Sequence, residues 1–228
     1  MRFDVDLADI NLTPSVLSLY PRELKRICAL CENPNLGYFR LENDPFLKDI
    51  AILTHRLIPV GAEFVVPDAG VPRSLMFRDG ARQLFTVGWT CMAVCGGFSP
   101  FLELHAHPHS LTDFNAEGWQ KTYRTLADLL RANPRLKGVF SSSWFLDPAL
   151  KGVSPHLTYL REVPERGGAA LVFSDIDSDG SSGALETSRT RRRMFVEGQY
   201  VPKIYARIWP RERLLSNVGS VAETGDNL

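Results

Sequence analysis

The chain has 228 residues, 26 basic and 26 acidic side chains, 44% hydrophobic and 23% charged residues, the proportions of an ordinary globular protein that buries a core without staples. Zero net charge excludes a protein that coats nucleic acid, because that needs a basic surface to displace phosphate counterions. No apolar run approaches the roughly 18 residues that cross a bilayer, and Met1 to Asp6 lacks the basic-then-apolar order of a secretory signal, so the reading is cytoplasmic, with no membrane and no nucleic-acid surface evident from charge.

In chain order, Thr13-Pro14 opens a helix as N-cap and first-turn proline, and Val16, Leu17, Tyr20, Leu24, Ile27 and Cys28 continue it to about Asn33-Pro34. Residues 44 to 58 predict a second helix, 62 to 66 a short strand ended by Pro67-Asp68-Ala69-Gly70, and 74 to 77 another short strand. Ala81 to Cys95 reads as a largely buried helix closed by Gly96-Gly97. From Phe98 strand and helix alternate. A strand over 101 to 107 leads to a helix capped by Asp113 or Asn115 and running to Ala132, with Trp119, Tyr123, Leu126 and Leu130 on one face. Strands over 138 to 145, 169 to 174 and 203 to 209 follow, with helices over 154 to 166 and 185 to 196. The expected fold class is therefore α/β (α+β), a mixed central sheet flanked by helices. One domain spans 1 to 217, with a mainly helical part over 1 to 97 and an alternating part over 98 to 217, and 218 to 228 form a disordered tail.

Cys28 and Cys31 form a C-x2-C pair and Cys91 and Cys95 lie four apart, so a four-cysteine zinc site is arithmetically available. Their placement in apolar helical patterns favours reduced core residues. Phosphate-cradling motifs are missing, since there is no G-x-x-x-x-G-K-[ST], and Gly96-Gly97 precedes a strand instead of following one.

The densest chemical constellation is Glu103-Leu-His105-Ala-His107-Pro-His109, with Asp113 close behind. Strand alternation puts Glu103, His105 and His107 on one face, where imidazoles and a carboxylate serve as general bases or as ligands for Zn, Fe or Mn. Ser141, Ser142, Ser143 and Trp144 end the next strand, where hydroxyls and amides can orient an oxyanion or carbonyl. Arg189, Arg192 and Arg193 share one face of a short helix and offer forked recognition of phosphate or carboxylate.

The order strand (101 to 107), helix (115 to 132), strand (138 to 145), helix (154 to 166), strand (169 to 174), final strand (203 to 209) resembles the C-terminal half of a GNAT acyltransferase. Pro155-His-Leu-Thr-Tyr-Leu-Arg-Glu-Val-Pro-Glu-Arg-Gly-Gly168 is similar to that family's penultimate helix and glycine turn. The resemblance implies that Glu103, His105 and His107 occupy the place of the catalytic base, and that the protein moves an acyl group from acyl-CoA or another acyl donor to an amine of a small-molecule substrate. The family's Q/R-x-x-G-x-G/A pyrophosphate turn is not found in His109 to Asn115, which turns the expectation toward donors such as an acyl carrier protein or aminoacyl-tRNA. On this reading Asp113, Asn115, Ser142, Ser143, Trp144, Arg189, Arg192 and Arg193 hold substrate or donor. Two other readings stand beside it. One is a metalloenzyme, hydrolase or oxygenase, with His105, His107 and His109 or Asp113 as ligands; the other is a noncatalytic anion-binding protein built on the arginine helix.

Overall fold

The structure, a computed structural model, describes residues 10–32, 37–106, 113–186 and 188–225, with side chains as far as residue 219. Its helices are α1 (Pro14–Leu17), α2 (Tyr20–Glu32), α3 (Asp44–Leu53), α4 (Gly80–Gly88), α5 (Ala116–Ala132), α6 (Leu150–Val153), α7 (Tyr159–Arg166), α8 (Arg189–Val196) and α9 (Arg211–Gly225). Its strands are β1 (Ile58–Pro59), β2 (Phe64–Ala69), β3 (Phe101–His105), β4 (Gly138–Ser143), β5 (Ala170–Ile176) and β6 (Lys203–Pro210). The class is α/β, a mixed sheet flanked by helices, as the alternation of the sequence predicts. The chain gathers into two compact units, Met1–Ala69 with Leu102–Leu136 and Gly70–Phe101 with Lys137–Leu228.

In the first unit the strand order is β1-β2-β3, and the long helix α5 buries one whole face in the core. Trp119, Thr122, Tyr123, Leu126, Ala127, Leu129 and Leu130 recur at spacings of three and four and are all buried. Asn115 caps this helix by accepting from the Gly118 N–H at 2.9 Å, which satisfies one of the otherwise orphaned first-turn donors. Buried Thr122 is polar but fully used: its Oγ1 accepts from the Ala62 amide at 2.8 Å and donates to the Gly118 carbonyl at 2.9 Å. Gly61 sits directly against it with φ of +123°, and a Cβ there would lie 2.7 Å from Thr122 Oγ1. Only glycine meets both demands. Where one continuous helix is expected over 13 to 33, a break at Ser18-Leu19 divides α1 from α2 just ahead of Pro21, whose ring cannot occupy a helix interior. The buried stripe of α2 is Tyr20, Glu23 and Ile27, which leaves Cys28 and Cys31 exposed instead of in the core.

In the second unit the order is β4-β6-β5, with both pairings antiparallel. Val71, Leu75, Val87, Cys91, Phe101, Phe140, Val172, Ala206 and Ile208 form its main core. Buried Gln83 on α4 serves the backbone of β5 as another strand would: its Nε2 donates to the Phe173 carbonyl at 2.7 Å and its Oε1 accepts from the Phe173 amide at 2.9 Å. Nε2 also donates to the Leu75 carbonyl, so the amide is saturated. Residues 74 to 77, expected as a strand, form part of a 3₁₀ turn, Arg73–Phe77, because Pro72 presets the chain for a turn and Leu75 buries its side chain there. The helix expected over 81 to 95 is α4 continued by a π turn, Trp89–Val94. The Trp209 indole donates to the Gly167 carbonyl at 2.9 Å, and a Cβ at Gly167 would lie 2.4 Å from the Trp209 ring. The last helix, α9, is Arg211–Gly225 and is anchored by buried Leu214. Residues 226–228 lie outside the described residues.

Candidate functional site

Strand β3 alternates in burial from Leu102 onward, while Phe101, of the same parity as Glu103 and His105, is buried too. Phe101, Leu102 and Leu104 are buried, while the side chains of Glu103 and His105 keep 33% and 31% of their surface exposed. On the outer face His105 Nε2 lies 3.7 Å from Glu103 Oε1, inside ion-pair range if the ring is protonated but beyond hydrogen-bond distance. Nε2 is itself buried and has no hydrogen-bond partner among the described residues. A buried donor or acceptor left unmade costs about 1–3 kcal/mol, so such an atom in a native fold calls for an explanation. The end of the strand is held by Lys48, whose Nζ donates to the Ala106 carbonyl at 3.1 Å. His107 and His109, the remaining members of the cluster, lie outside the described residues.

The other residues singled out by sequence fall into three groups. Asp113 and Asn115 open α5, where Asp113 pairs with Arg22 and Asn115 is the N-cap, so both have structural work that explains their polarity. On β4, Ser141 is buried and Ser142 is exposed with its Oγ 3.5 Å from Ser174 Oγ. Ser143 Oγ accepts from the Phe145 amide at 3.2 Å, which starts the turn that buries Trp144. Arg189, Arg192 and Arg193 are solvent-exposed on α8.

The arginine that matters most for the interior is one the sequence reading passes over. Arg191 is 3% exposed, its guanidinium donates to the Ala184 carbonyl at 2.6 Å and to Ser154 Oγ at 2.9 Å, and its Cζ lies 4.6 Å from the centre of the Trp144 ring. Burial pulls its pKa downward, with the Tyr200 hydroxyl opposing. Its signal is in the sequence: if residues 189, 192 and 193 share an outer face, residue 191 points inward.

A pocket of about 180 Å³ in the second unit is walled by Phe145, Asp147, Lys151, Arg161, Glu162 and Glu165. Asp147 is buried and accepts from the Ala149 and Lys203 amides at 2.9 and 3.0 Å, and Arg161 donates to the Leu146 carbonyl at 2.6 Å. None of the candidate catalytic, donor-binding or metal residues read from sequence lines this pocket, although Thr158, Arg161, Glu162 and Glu165 come from the segment that carries the family resemblance.

Among the described residues no three His, Cys, Asp or Glu side chains gather as a metal site. Cys91 and Cys95 are pushed up to about 12 and about 11, in each case chiefly by burial, so both thiols are held protonated. No helix among the described residues is long and apolar enough to cross a membrane. No family model, curated protein or solved structure matches the chain.

Proposed function

We propose that the chain is an N-acyltransferase of GNAT-like organisation, in which the outer face of β3 carries the acid–base pair. The observation that carries the reading is Glu103 beside His105, with a buried imidazole nitrogen left without a hydrogen bond among the described residues, on a strand whose other side chains are core. The chain order is β3, α5, β4, α6, α7, β5, α8, β6, which contains the strand–helix order on which the resemblance rests, with α6 and α8 in addition.

In this reading the Glu103 carboxylate accepts the proton that an attacking amine loses as its nitrogen bonds to the acyl carbon. The bond to the donor's sulfur breaks, and the thiolate leaves with a proton from solvent or from the imidazole. Pairs of this kind are often loosely spaced before substrate arrives and tighten in the working complex, which suits a 3.7 Å separation.

The test is turnover of acetyl-CoA and of an acyl-carrier thioester against a panel of small amines, followed by mass of the acylated product. Turnover that falls by about 10²–10⁴ in Glu103→Gln supports the reading. Wild-type protein that binds neither thioester contradicts it. Elemental mass spectrometry on the same preparations separates the metal reading: one equivalent of Zn, Fe or Mn, lost in His105→Ala, would replace acyl transfer by metal chemistry.

A further inference from the structure

Helix α4 and the π turn that continues it have two unlike faces. Gln83, Val87, Thr90 and Cys91 point into the second unit and are buried. The opposite face carries Phe85, Trp89 and Met92, spaced at four and three residues, and these are 75%, 60% and 62% exposed. Phe77, from the preceding turn, is 72% exposed. An outward helix face is normally charged or polar, and here its large side chains are apolar. Exposure this high means that they stand proud of the surface as a ridge instead of lining a groove.

The charges along this segment are mostly positive. Between Gly70 and Pro100 the sequence places Arg73, Arg78 and Arg82 against a single acid, Asp79. All three arginines are exposed, and among the described residues neither Arg78 nor Arg82 has an ion-pair partner. Protruding Phe, Trp and Met flanked by arginines is the chemistry of a helix that lies in a bilayer interface, with apolar side chains in the acyl boundary and guanidinium groups among phosphates. A deformable bilayer accepts a convex ridge, whereas a folded protein partner would have to present a matching groove.

We infer that the α4 ridge, Phe77, Phe85, Trp89 and Met92 with Arg73, Arg78 and Arg82, docks the protein on the surface of an anionic lipid bilayer. Such docking needs no spanning helix, so it is compatible with the lack of one among the described residues.

The molecule carries its own reporter. Of its four tryptophans, Trp119, Trp144 and Trp209 are buried, and Trp89 alone is exposed. The full chain is mixed with vesicles of phosphatidylcholine alone and of phosphatidylcholine with phosphatidylserine, and binding is read by flotation and by tryptophan emission. The expected result is flotation with the anionic vesicles and a blue shift of emission that is absent in Trp89→Phe. Partition falls about thirtyfold in Arg78→Gln/Arg82→Gln, at about 1 kcal/mol per arginine near the surface. It is lost in Phe85→Ser/Trp89→Ser. All four substituted residues are exposed, and circular dichroism confirms that the variants fold. No flotation with either vesicle, or flotation that survives Phe85→Ser/Trp89→Ser, would overturn the inference. So would a concentration-dependent doubling of mass by light scattering that those two substitutions abolish, since that would give the ridge to a second copy of the chain.

Discussion

Asp49 and Glu103, two acids of the same unit, are treated in opposite ways. Asp49 is 1% exposed, and around it the fold has assembled a forked Arg26, which donates through both terminal nitrogens, and the Tyr38 hydroxyl. Arg26 also reaches buried Glu23 at 3.1 Å, and Arg22 links Glu23 to Asp113. Every charge in that network has an opposite neighbour, and the Tyr38 hydroxyl is held protonated by burial and by Asp49. Glu103 is a third exposed and lies 3.7 Å from the His105 imidazole, whose nearest nitrogen has no hydrogen bond among the described residues. A network closed on itself has nothing left for a substrate, whereas an open pair keeps binding and proton-transfer capacity.

The largest expected effect comes from breaking the closed network. Asp49→Ala takes both terminal nitrogens of half-buried Arg26 and the Tyr38 hydroxyl off their shared acceptor, leaves Arg26 only Glu23, and should cost about 3 kcal/mol in urea unfolding. If Asp49→Ala were neutral, the network would be ornamental and the contrast with Glu103 would fail. The buried amide of the other unit is a second closed site. Gln83→Ala leaves the Phe173 amide and carbonyl without partners and should cost about 2 kcal/mol. Tyr38→Phe removes one donor from Asp49 while Arg26 remains, and about 1 kcal/mol is expected.

Alkaline titration probes groups that burial keeps neutral. Tyr20 and Cys91 are pushed up to about 12 and Cys95 to about 11, chiefly by burial. The folded chain therefore binds these protons more tightly than the unfolded chain. Their contribution is fully present below about pH 9 and is lost as pH rises toward 11 to 12, so thermal scans should show Tm falling over that window. The same burial predicts that iodoacetamide at pH 8 modifies exposed Cys28 and Cys31 well before Cys91 and Cys95. Smallest of all should be the effect of Glu103→Gln on stability, within about 0.5 kcal/mol, because the open pair holds nothing else in place.

Much of the fold was legible where one signal acts locally. Asn115 announces α5 by capping it, the spacing of Trp119, Tyr123, Leu126 and Leu130 orients it, and strands β4, β5 and β6 appear close to where their patterns predict. On β3 Glu103 and His105 are half-buried while Leu102 and Leu104 between them are buried, the alternation that their spacing predicts. Tertiary partners decided the rest. The inward face of α2 turns on Glu23, a charge that only Arg22 and Arg26 make tolerable inside, and this rotates Cys28 and Cys31 into solvent. Arg191 was hidden among its neighbours because burying an arginine depends on the Ala184 carbonyl, Ser154 and Trp144, all distant or unpatterned in sequence. The interleaving of the two units, each leaving the chain and re-entering it, has no local signature.

The central claim is that Glu103 with His105 is a working pair and not a surface coincidence. The direct measurement is the rate of acyl transfer from acetyl-CoA and from an acyl-carrier thioester to an amine panel, for wild type, Glu103→Gln and His105→Ala, with unfolding curves on the same samples. The account predicts turnover in wild type and losses of about 10²–10⁴ in Glu103→Gln with stability unchanged. Wild-type turnover that Glu103→Gln and His105→Ala leave intact would contradict it.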